Sequence, residues 1–218
     1  MSRHLLLLSR GFGAVPDFVH TRVQRHPGAV RMGFVSAAVD TDDERAVADA
    51  QRATLAWIGY EMVDVDLDAL SGDELARALR DLDAVFVAEG NPFVLLGRLR
   101  RSGFAEMLPG LLDAGLVYLG AGAGAVVVGP DIAPMTAMHD HERVQERASD
   151  EGLHLLGVVP IPHADAGADA MERLDRIRAQ YGGSLHLEPI ADDQAIIVED
   201  DAAAVVESVP LGGTQSVR

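Results

Sequence analysis

The segment LVYLGAGAGAVVV, from Leu116 to Val128, is the strongest indication of fold class in this chain. Its first four residues are apolar and typical of a buried strand, its alternating glycines and alanines are typical of a tight turn, and its valines indicate the start of a helix. A strand, a turn of small residues and a helix in this order form a nucleophile elbow, which lifts a reactive side chain above the sheet in α/β enzymes. The central residue of this turn is Gly122, which has no side chain.

Short apolar runs alternate with amphipathic segments along the rest of the chain. Continuously apolar strands are covered on both faces, so this alternation predicts a mainly parallel sheet with helices on both sides. The four residues 191–194 between two late strands predict a hairpin, and therefore an antiparallel C-terminal part. The predicted strands are His4–Ser9, Ala29–Ala37, Met62–Leu67, Ala84–Ala88, Leu116–Gly120, Leu155–Ile161, Ser184–Ile190, Ala195–Glu199 and a weaker Ala204–Val209.

Two capping boxes predict where helices begin. Thr41 with Glu44 opens a helix that ends at Gly59, and Ser71 with Glu74 opens the next one. Apolar residues at helical spacing then predict the faces that pack inward. These residues are Ala76, Leu79 and Leu82; Phe93, Leu96 and Leu99; and Met171, Leu174, Ile177 and Tyr181.

The composition excludes several classes of protein. The 218 residues include 34 Asp and Glu and 18 Arg but no Lys, so the formal charge is −16, and we expect no nucleic-acid partner. The absence of Cys excludes disulfides, thiolate zinc sites and a catalytic thiol. The early apolar run Leu5–Leu8 is too short for a signal peptide or a membrane span. We therefore expect a cytoplasmic protein with no membrane partner, a single α/β domain over residues 1–218, and a frayed tail at residues 212–218.

Three further motifs accompany the elbow at fitting spacings: AEGNPFVLL (88–96), GPDI (129–132) and IPH (161–163). With YLGAGAGA (118–125) they resemble the peptidase E (aspartyl dipeptidase) and cyanophycinase group of serine peptidases, over roughly residues 80–200. In that group the motif that corresponds to residues 88–96 looks like G-G-G-N-T-F-x-L-L, and the motif that corresponds to residues 118–125 looks like Y-I-G-W-S-A-G-A. The resemblance implies a three-layer α/β/α sandwich with a mostly parallel central sheet, flavodoxin-like in the manner of class I glutamine amidotransferases, and no cofactor.

The resemblance also implies roles for individual residues. The nucleophile position is Gly122, the general base is His163 and the acid that orients the base is Asp192, where the family usually has Glu. The backbone N–H groups of Gly90 and Ala123 are the implied oxyanion donors.

The implied substrate-binding residues are Glu89, Asn91 and Arg173. Arg173 is the nearest match to an arginine that the family associates with acidic substrates.

Two departures from the family pattern affect the same chemical step. Gly122 offers no oxygen to attack a carbonyl, and loss of the nucleophile from such a triad costs about 10⁶ in turnover. Glu89 stands where the family has Gly, and a carboxylate beside a developing oxyanion opposes it. Pro92 also removes one N–H group from this loop.

Simpler interpretations of these residues stay open. His163 is also compatible with a structural loop histidine, Asp192 with a turn cap, and Asn91 with an Asx turn; Asp193 is a rival for the acid role. The segment His139–Glu142 places two histidines and a glutamate close together, but no third ligand is defined. We therefore interpret it as a solvated helix start and expect no metal site.

The sequence thus predicts a peptidase E-like serine hydrolase homologue without its serine. We expect it to be inactive or weakly active and to bind a small peptide or amino-acid-like ligand. One alternative is a working hydrolase in which His163 activates water, or in which a metal binds at His139 and His141. Another is an interaction domain with a relic pocket. The residues indicate no oligomeric state.

Overall fold

The computed structural model describes residues 3–138, 149–200 and 202–211. Within these ranges strands and helices alternate along the chain. The strands are β1 (His4–Leu8), β2 (Arg31–Val35), β3 (Glu61–Asp64), β4 (Ala84–Val87), β5 (Val117–Ala121), β6 (Val159–Ile161), β7 (Leu187–Pro189), β8 (Gln194–Glu199) and β9 (Ala202–Glu207). The α-helices are α1 (Val15–Val23), α2 (Asp42–Ile58), α3 (Gly72–Arg80), α4 (Pro92–Ser102), α5 (Phe104–Asp113), α6 (Ala123–Val126) and α7 (Ala170–Tyr181).

Seven of the strands form one central sheet in the order β3-β2-β4-β5-β1-β8-β9. The first five of these are parallel, whereas β8 runs antiparallel to β1 and β9 runs antiparallel to β8. The predicted α/β class with a mostly parallel central sheet is confirmed.

Both faces of the central strands β2, β4, β5 and β1 are buried, which explains why these strands are continuously apolar. On β1, Leu5 and Leu7 face a core that includes apolar residues of α3, α4 and α5. Leu6 and Leu8 face the other core, to which α1 and α2 contribute. Side chains of a strand alternate between its faces, so helices on both sides give three layers.

The predicted hairpin around residues 191–194 is wrong. β7 pairs in parallel with β6 in a separate two-stranded sheet, while β8 lies between β1 and β9. The turn therefore connects two sheets, and the antiparallel pairing belongs to β8 and β9. β6 is also shorter than predicted, because the N–H groups of Leu155 and Leu156 bond to the carbonyl of Val128.

The ends of the helices follow the sequence signals in part. The capping box of Thr41 and Glu44 is formed, and Gly59 ends α2 in the left-handed conformation. α3 begins after Ser71 as predicted, but the Ser71 side chain makes no cap hydrogen bond. Met171 is exposed, contrary to the predicted inward stripe, because buried Ala170 begins the stripe that continues to Ile177.

Two sequence features lie outside the described residues: the segment His139–Glu142 and the tail at residues 212–218. Among the residues that the structure covers, every helix is too short or too polar to cross a bilayer.

Candidate active site

Three neighbouring strands end at the same edge of the sheet and carry the candidate site. Ser9 follows β1, Glu89 follows β4 and Gly122 follows β5, and the sheet order places these strands side by side. β8 runs the opposite way, so Asp192, just before it, lies at this edge too. His163 follows β6, which belongs to the separate two-stranded sheet. The site therefore lies where ligands commonly bind in open α/β sheets.

Gly122 sits at the turn between β5 and α6, with φ 49° and ψ −109°. Its N–H group donates to the carbonyl of Leu8 at 3.1 Å, which ties the turn to β1. The neighbouring glycines allow close packing: a Cβ on Gly124 would lie 2.2 Å from the carbonyl oxygen of Val87. The buried hydroxyl of Tyr118 donates to the Gly124 carbonyl at 2.7 Å. The alternating small residues are thus required by sheet and helix contacts.

The side chain of Glu89 covers Gly122. A Cβ built on Gly122 would lie 2.5 Å from Cγ of Glu89 and 3.1 Å from its Cδ. A side chain at residue 122 would therefore displace Glu89.

His163 lies between two carboxylates. Its Nδ1 is 2.6 Å from Oδ1 of Asp192, and its Nε2 is 3.1 Å from Oε1 of Glu89. Carboxylates only accept hydrogen bonds, so both ring nitrogens donate, which is the pattern of an imidazolium. The exposed fractions of the side chains are 20% for His163, 25% for Glu89 and 27% for Asp192. All three side chains are therefore in partial contact with solvent.

The pKa directions agree with this pairing. Burial by itself would lower the pKa of His163, but the hydrogen bonds and charges of Glu89 and Asp192 together raise it. Burial would likewise raise the pKa of Asp192, yet its contacts with His163, Ser9 and Arg10 lower it. The charged forms of both residues are therefore favoured in the folded state.

Two residues that the sequence patterns did not single out hold this array. The Oγ atom of Ser9 accepts from the backbone N–H of His163 at 2.8 Å and donates to Oδ1 of Asp192 at 3.1 Å. Gln51 on α2 accepts from the N–H of Glu89 at 3.1 Å, and its Nε2 donates to Oε2 of Glu89 at 3.2 Å. The sequence feature that could have identified Gln51 is its position between Ala48 and Leu55, where a polar residue interrupts an inward-facing apolar stripe.

The other candidate residues mainly support the backbone. Oδ1 of Asn91 accepts from the N–H groups of Phe93 and Val94, which caps α4. The guanidinium of Arg173 donates to the carbonyls of His163 and Ala166 at 3.2 and 3.0 Å.

The two implied oxyanion donors, Gly90 and Ala123, are backbone positions. Gly90 has φ 143°, and a Cβ there would lie 2.5 Å from the carbonyl oxygen of Ala38. Ala123 is the first residue of α6. The carbonyl of Asp193 accepts from the N–H of Ser208, whereas the carboxylate that meets His163 is that of Asp192.

A family model and two curated proteins match most of this chain. The family model for peptidase family S51 matches residues 6–206. An uncharacterized peptidase of Listeria innocua is 28% identical over 199 residues, covering 91% of this chain and 94% of that protein. A peptidase E of Streptomyces coelicolor is 35% identical over 164 residues, covering 73% of this chain and 63% of that protein.

A solved structure shares the fold. The crystal structure of a candidate peptidase E from Listeria monocytogenes superposes with a TM-score of 0.83 at 23% identity, covering 95% of this chain and 99% of that one. The match of the family model over almost the whole chain shows the relationship directly, and the chain belongs to peptidase family S51.

Proposed function

We propose that this chain keeps the fold and the histidine–aspartate pair of a peptidase E but lacks the serine nucleophile. It therefore binds a small peptide or amino-acid-like ligand at the site without cleaving it through an acyl-serine intermediate. The observation that carries the proposal is Gly122 at the elbow with the side chain of Glu89 lying over it.

Two contacts support the loss of serine chemistry. The Nε2 atom of His163 faces Oε1 of Glu89 at 3.1 Å, so the imidazole is engaged by a carboxylate instead of a hydroxyl. A serine mechanism needs this nitrogen as the base for the attacking oxygen. The negative charge of Glu89 beside the Gly90 loop also opposes a developing oxyanion.

The surroundings of Arg173 bear on the choice of ligand. Its guanidinium donates to two backbone carbonyls and lies 3.4 Å from Oδ1 of Asp169. These donors hold the segment around His163, so we expect no preference for acidic ligands from this residue.

The test is an assay with a panel of dipeptides that includes Asp-Xaa. We expect no hydrolysis above background by the wild type, and a rise in melting temperature with at least one dipeptide. That rise should disappear in His163→Ala and persist in the control His154→Ala, whose ring pairs with Glu151 at the surface. Hydrolysis that His163→Ala abolishes would overturn the proposal, as would the absence of binding by any dipeptide.

A second candidate function is hydrolysis by water that the site activates directly. The partial exposure of His163 between two carboxylates favours it, because the neutral form of such a histidine, which forms as the pH rises through its raised pKa, accepts a proton from water. Dipeptide hydrolysis that persists with a chelator and is lost in His163→Ala would support this candidate. Loss of activity with the chelator would instead favour a metal at His139 and His141.

A further inference from the structure

The carboxylate of Glu89 is held in a defined orientation. Its Oε1 meets Nε2 of His163, and its Oε2 accepts from the side-chain amide of Gln51. The same Gln51 accepts from the backbone N–H of Glu89, so one side chain fixes both ends of the residue. Gln51 itself is buried.

This orientation reproduces the order of groups in a nucleophilic triad. A nucleophile stands within hydrogen-bond reach of a base, and a third group orients the base. Asp192, His163 and Glu89 form such a series, at 2.6 and 3.1 Å. The last member is a carboxylate oxygen in place of a hydroxyl.

We propose that Glu89 is a nucleophile that attacks a saturated, electrophilic carbon such as that of an epoxide, and that His163 then activates the water that hydrolyses the resulting ester. The proposal goes beyond ligand binding, and it rests on the proposed absence of a serine nucleophile at residue 122.

The chemistry of carboxylates selects the substrate class. Attack of a carboxylate on an amide gives an anhydride, which is higher in energy than the amide. Attack on the carbon of a strained ring gives an ester and releases the strain, and enzymes use Asp and Glu as nucleophiles at such sp³ centres. The side chain of Glu89 is 25% exposed, so it is in contact with solvent.

In the first step a lone pair of Oε1 forms a bond to the epoxide carbon. The carbon–oxygen bond of the ring breaks, and its electron pair stays on the ring oxygen. That alkoxide takes a proton from the imidazolium of His163, directly or through water. Glu89 is then a neutral ester, and His163 is a neutral base.

In the second step water adds to Cδ of Glu89 and gives one proton to Nε2 of His163. The oxyanion forms on Oε2, where the amide of Gln51 already donates at 3.2 Å. The intermediate expels the alkoxide, which takes the second proton of the water. The products are a diol, the Glu89 carboxylate and the imidazolium, so the starting state returns with one new oxygen in Glu89.

The pKa of His163 supports this sequence of protonation states. Glu89 contributes a large part of what raises that pKa against the effect of burial. Esterification removes the negative charge of Glu89, so the pKa of His163 falls when a base is needed. His163 acts as an acid in the step that forms the ester and as a base in the step that hydrolyses it.

The experiment uses styrene oxide with four full-length proteins. We expect the wild type to form the diol at least tenfold above buffer. His163→Gln should instead accumulate one adduct, located at Glu89 by peptide mass mapping, with diol formation no faster than in buffer. Glu89→Gln should show neither. The exposed control Glu106→Gln should behave as wild type.

A single turnover in H₂¹⁸O identifies the attacking atom. We expect ¹⁸O in Glu89 and unlabelled oxygen in the first diol, because the ester is cleaved at Cδ. Label in the first diol would show direct attack by water and overturn the proposal. So would the absence of any adduct in His163→Gln, or adducts spread equally over surface carboxylates.

A second variant guards against misfolding of Glu89→Gln. Glu89→Asp keeps the charge but shortens the side chain. We therefore expect its adduct to form at least tenfold more slowly than the adduct of Glu89, with an unchanged circular dichroism spectrum. The dipeptide assay is independent: dipeptide cleavage would refute the proposed binding without cleavage, whereas a missing adduct would refute only the role of Glu89.

Discussion

The side chain of Glu89 fills the space that any side chain at residue 122 would need. A Cβ on Gly122 would lie 2.5 Å from Cγ of Glu89, well inside van der Waals contact. The carboxylate of Glu89, from the loop after β4, is therefore the group that lies over the elbow and contacts His163.

This relationship predicts that Gly122→Ser alone does not restore peptidase activity. The serine would have to displace Glu89, and its backbone at φ 49° costs about 1–3 kcal/mol. We expect Gly122→Ser to fold and to hydrolyse dipeptides no faster than background. Robust activity of this single variant would show that Glu89 does not block the chemistry.

The matched variant is Glu89→Gly combined with Gly122→Ser. It removes both the steric conflict and the negative charge at the elbow, so we expect hydrolysis at least tenfold above Gly122→Ser in the same assay. Equal rates for the two proteins would contradict the assignment of Glu89 as the obstacle.

A second prediction separates the two neighbouring aspartates. Asp192 contacts the imidazole directly and raises its pKa, whereas the backbone of Asp193 bonds to Ser208. We expect Asp192→Asn to lower the pKa of His163, and Asp193→Asn to leave it unchanged. An NMR titration of the His163 ring protons measures both. A lowered pKa in Asp193→Asn alone would reverse the assignment.

A third prediction concerns the pH dependence of stability. The folded-state pKa of His163 is raised, so its contribution is fully present below the unfolded value of 6.5 and is lost as the pH rises through the folded value. The pKa of Asp192 is lowered, so its contribution is present above 3.8 and is lost as the pH falls. The array stabilises the protein most between these limits.

Urea unfolding at pH 5.5 and pH 9 tests this dependence. We expect the free energy of unfolding to fall more between these two values in the wild type than in His163→Gln. The control His154→Gln should fall as the wild type does. Identical slopes for wild type and His163→Gln would mean that the imidazolium pairs do not stabilise the fold.

A fourth prediction concerns Gln51. Gln51→Ala removes the hydrogen-bond partners of the backbone N–H and one carboxylate oxygen of Glu89. Leaving such groups unpaired costs about 1–3 kcal/mol, so urea unfolding should show a loss of that size. Gln180→Ala on the exposed face of α7 should change stability by less than about 0.5 kcal/mol. Equal effects would show that the contacts of Gln51 contribute nothing.

A fifth prediction concerns the close approach of β4 and the elbow. A methyl group at Gly124 would lie 2.2 Å from the carbonyl oxygen of Val87, which is backbone and cannot turn away. We expect Gly124→Ala to lower the free energy of unfolding by about 3 kcal/mol or more. Gly110→Ala in α5 meets nothing within 4 Å and should raise stability by up to about 1 kcal/mol. Thermal unfolding of both variants measures the difference.

Much of the architecture was predictable from local patterns. The apolar runs gave the parallel strands, because residues buried on both faces of a sheet are apolar without interruption. The segment from Leu116 to Val128 gave the elbow, because only small residues fit between β4 and α6. The capping box of Thr41 and Glu44 gave the start of α2, because both partners are three residues apart.

Contacts between distant segments were not predictable in this way. The sequence predicted a hairpin over residues 184–199, yet β7 pairs with β6. The partner of such a short strand depends on which other strand the rest of the fold brings close to it. From the sequence, the carboxylate of Glu89 was predicted only to oppose an oxyanion. In the structure it contacts the imidazole of His163, which lies 74 residues away in the sequence. Gln51 gave only a weak signal.

Local periodicity and turn chemistry depend on neighbours in the chain, so they can be recognised from the sequence. The array of Asp192, His163 and Glu89 depends instead on which strands end side by side, and the packing of the whole sheet determines that. The residues show that Gly122 has no side chain, and the folded chain shows that the side chain of Glu89 lies over it.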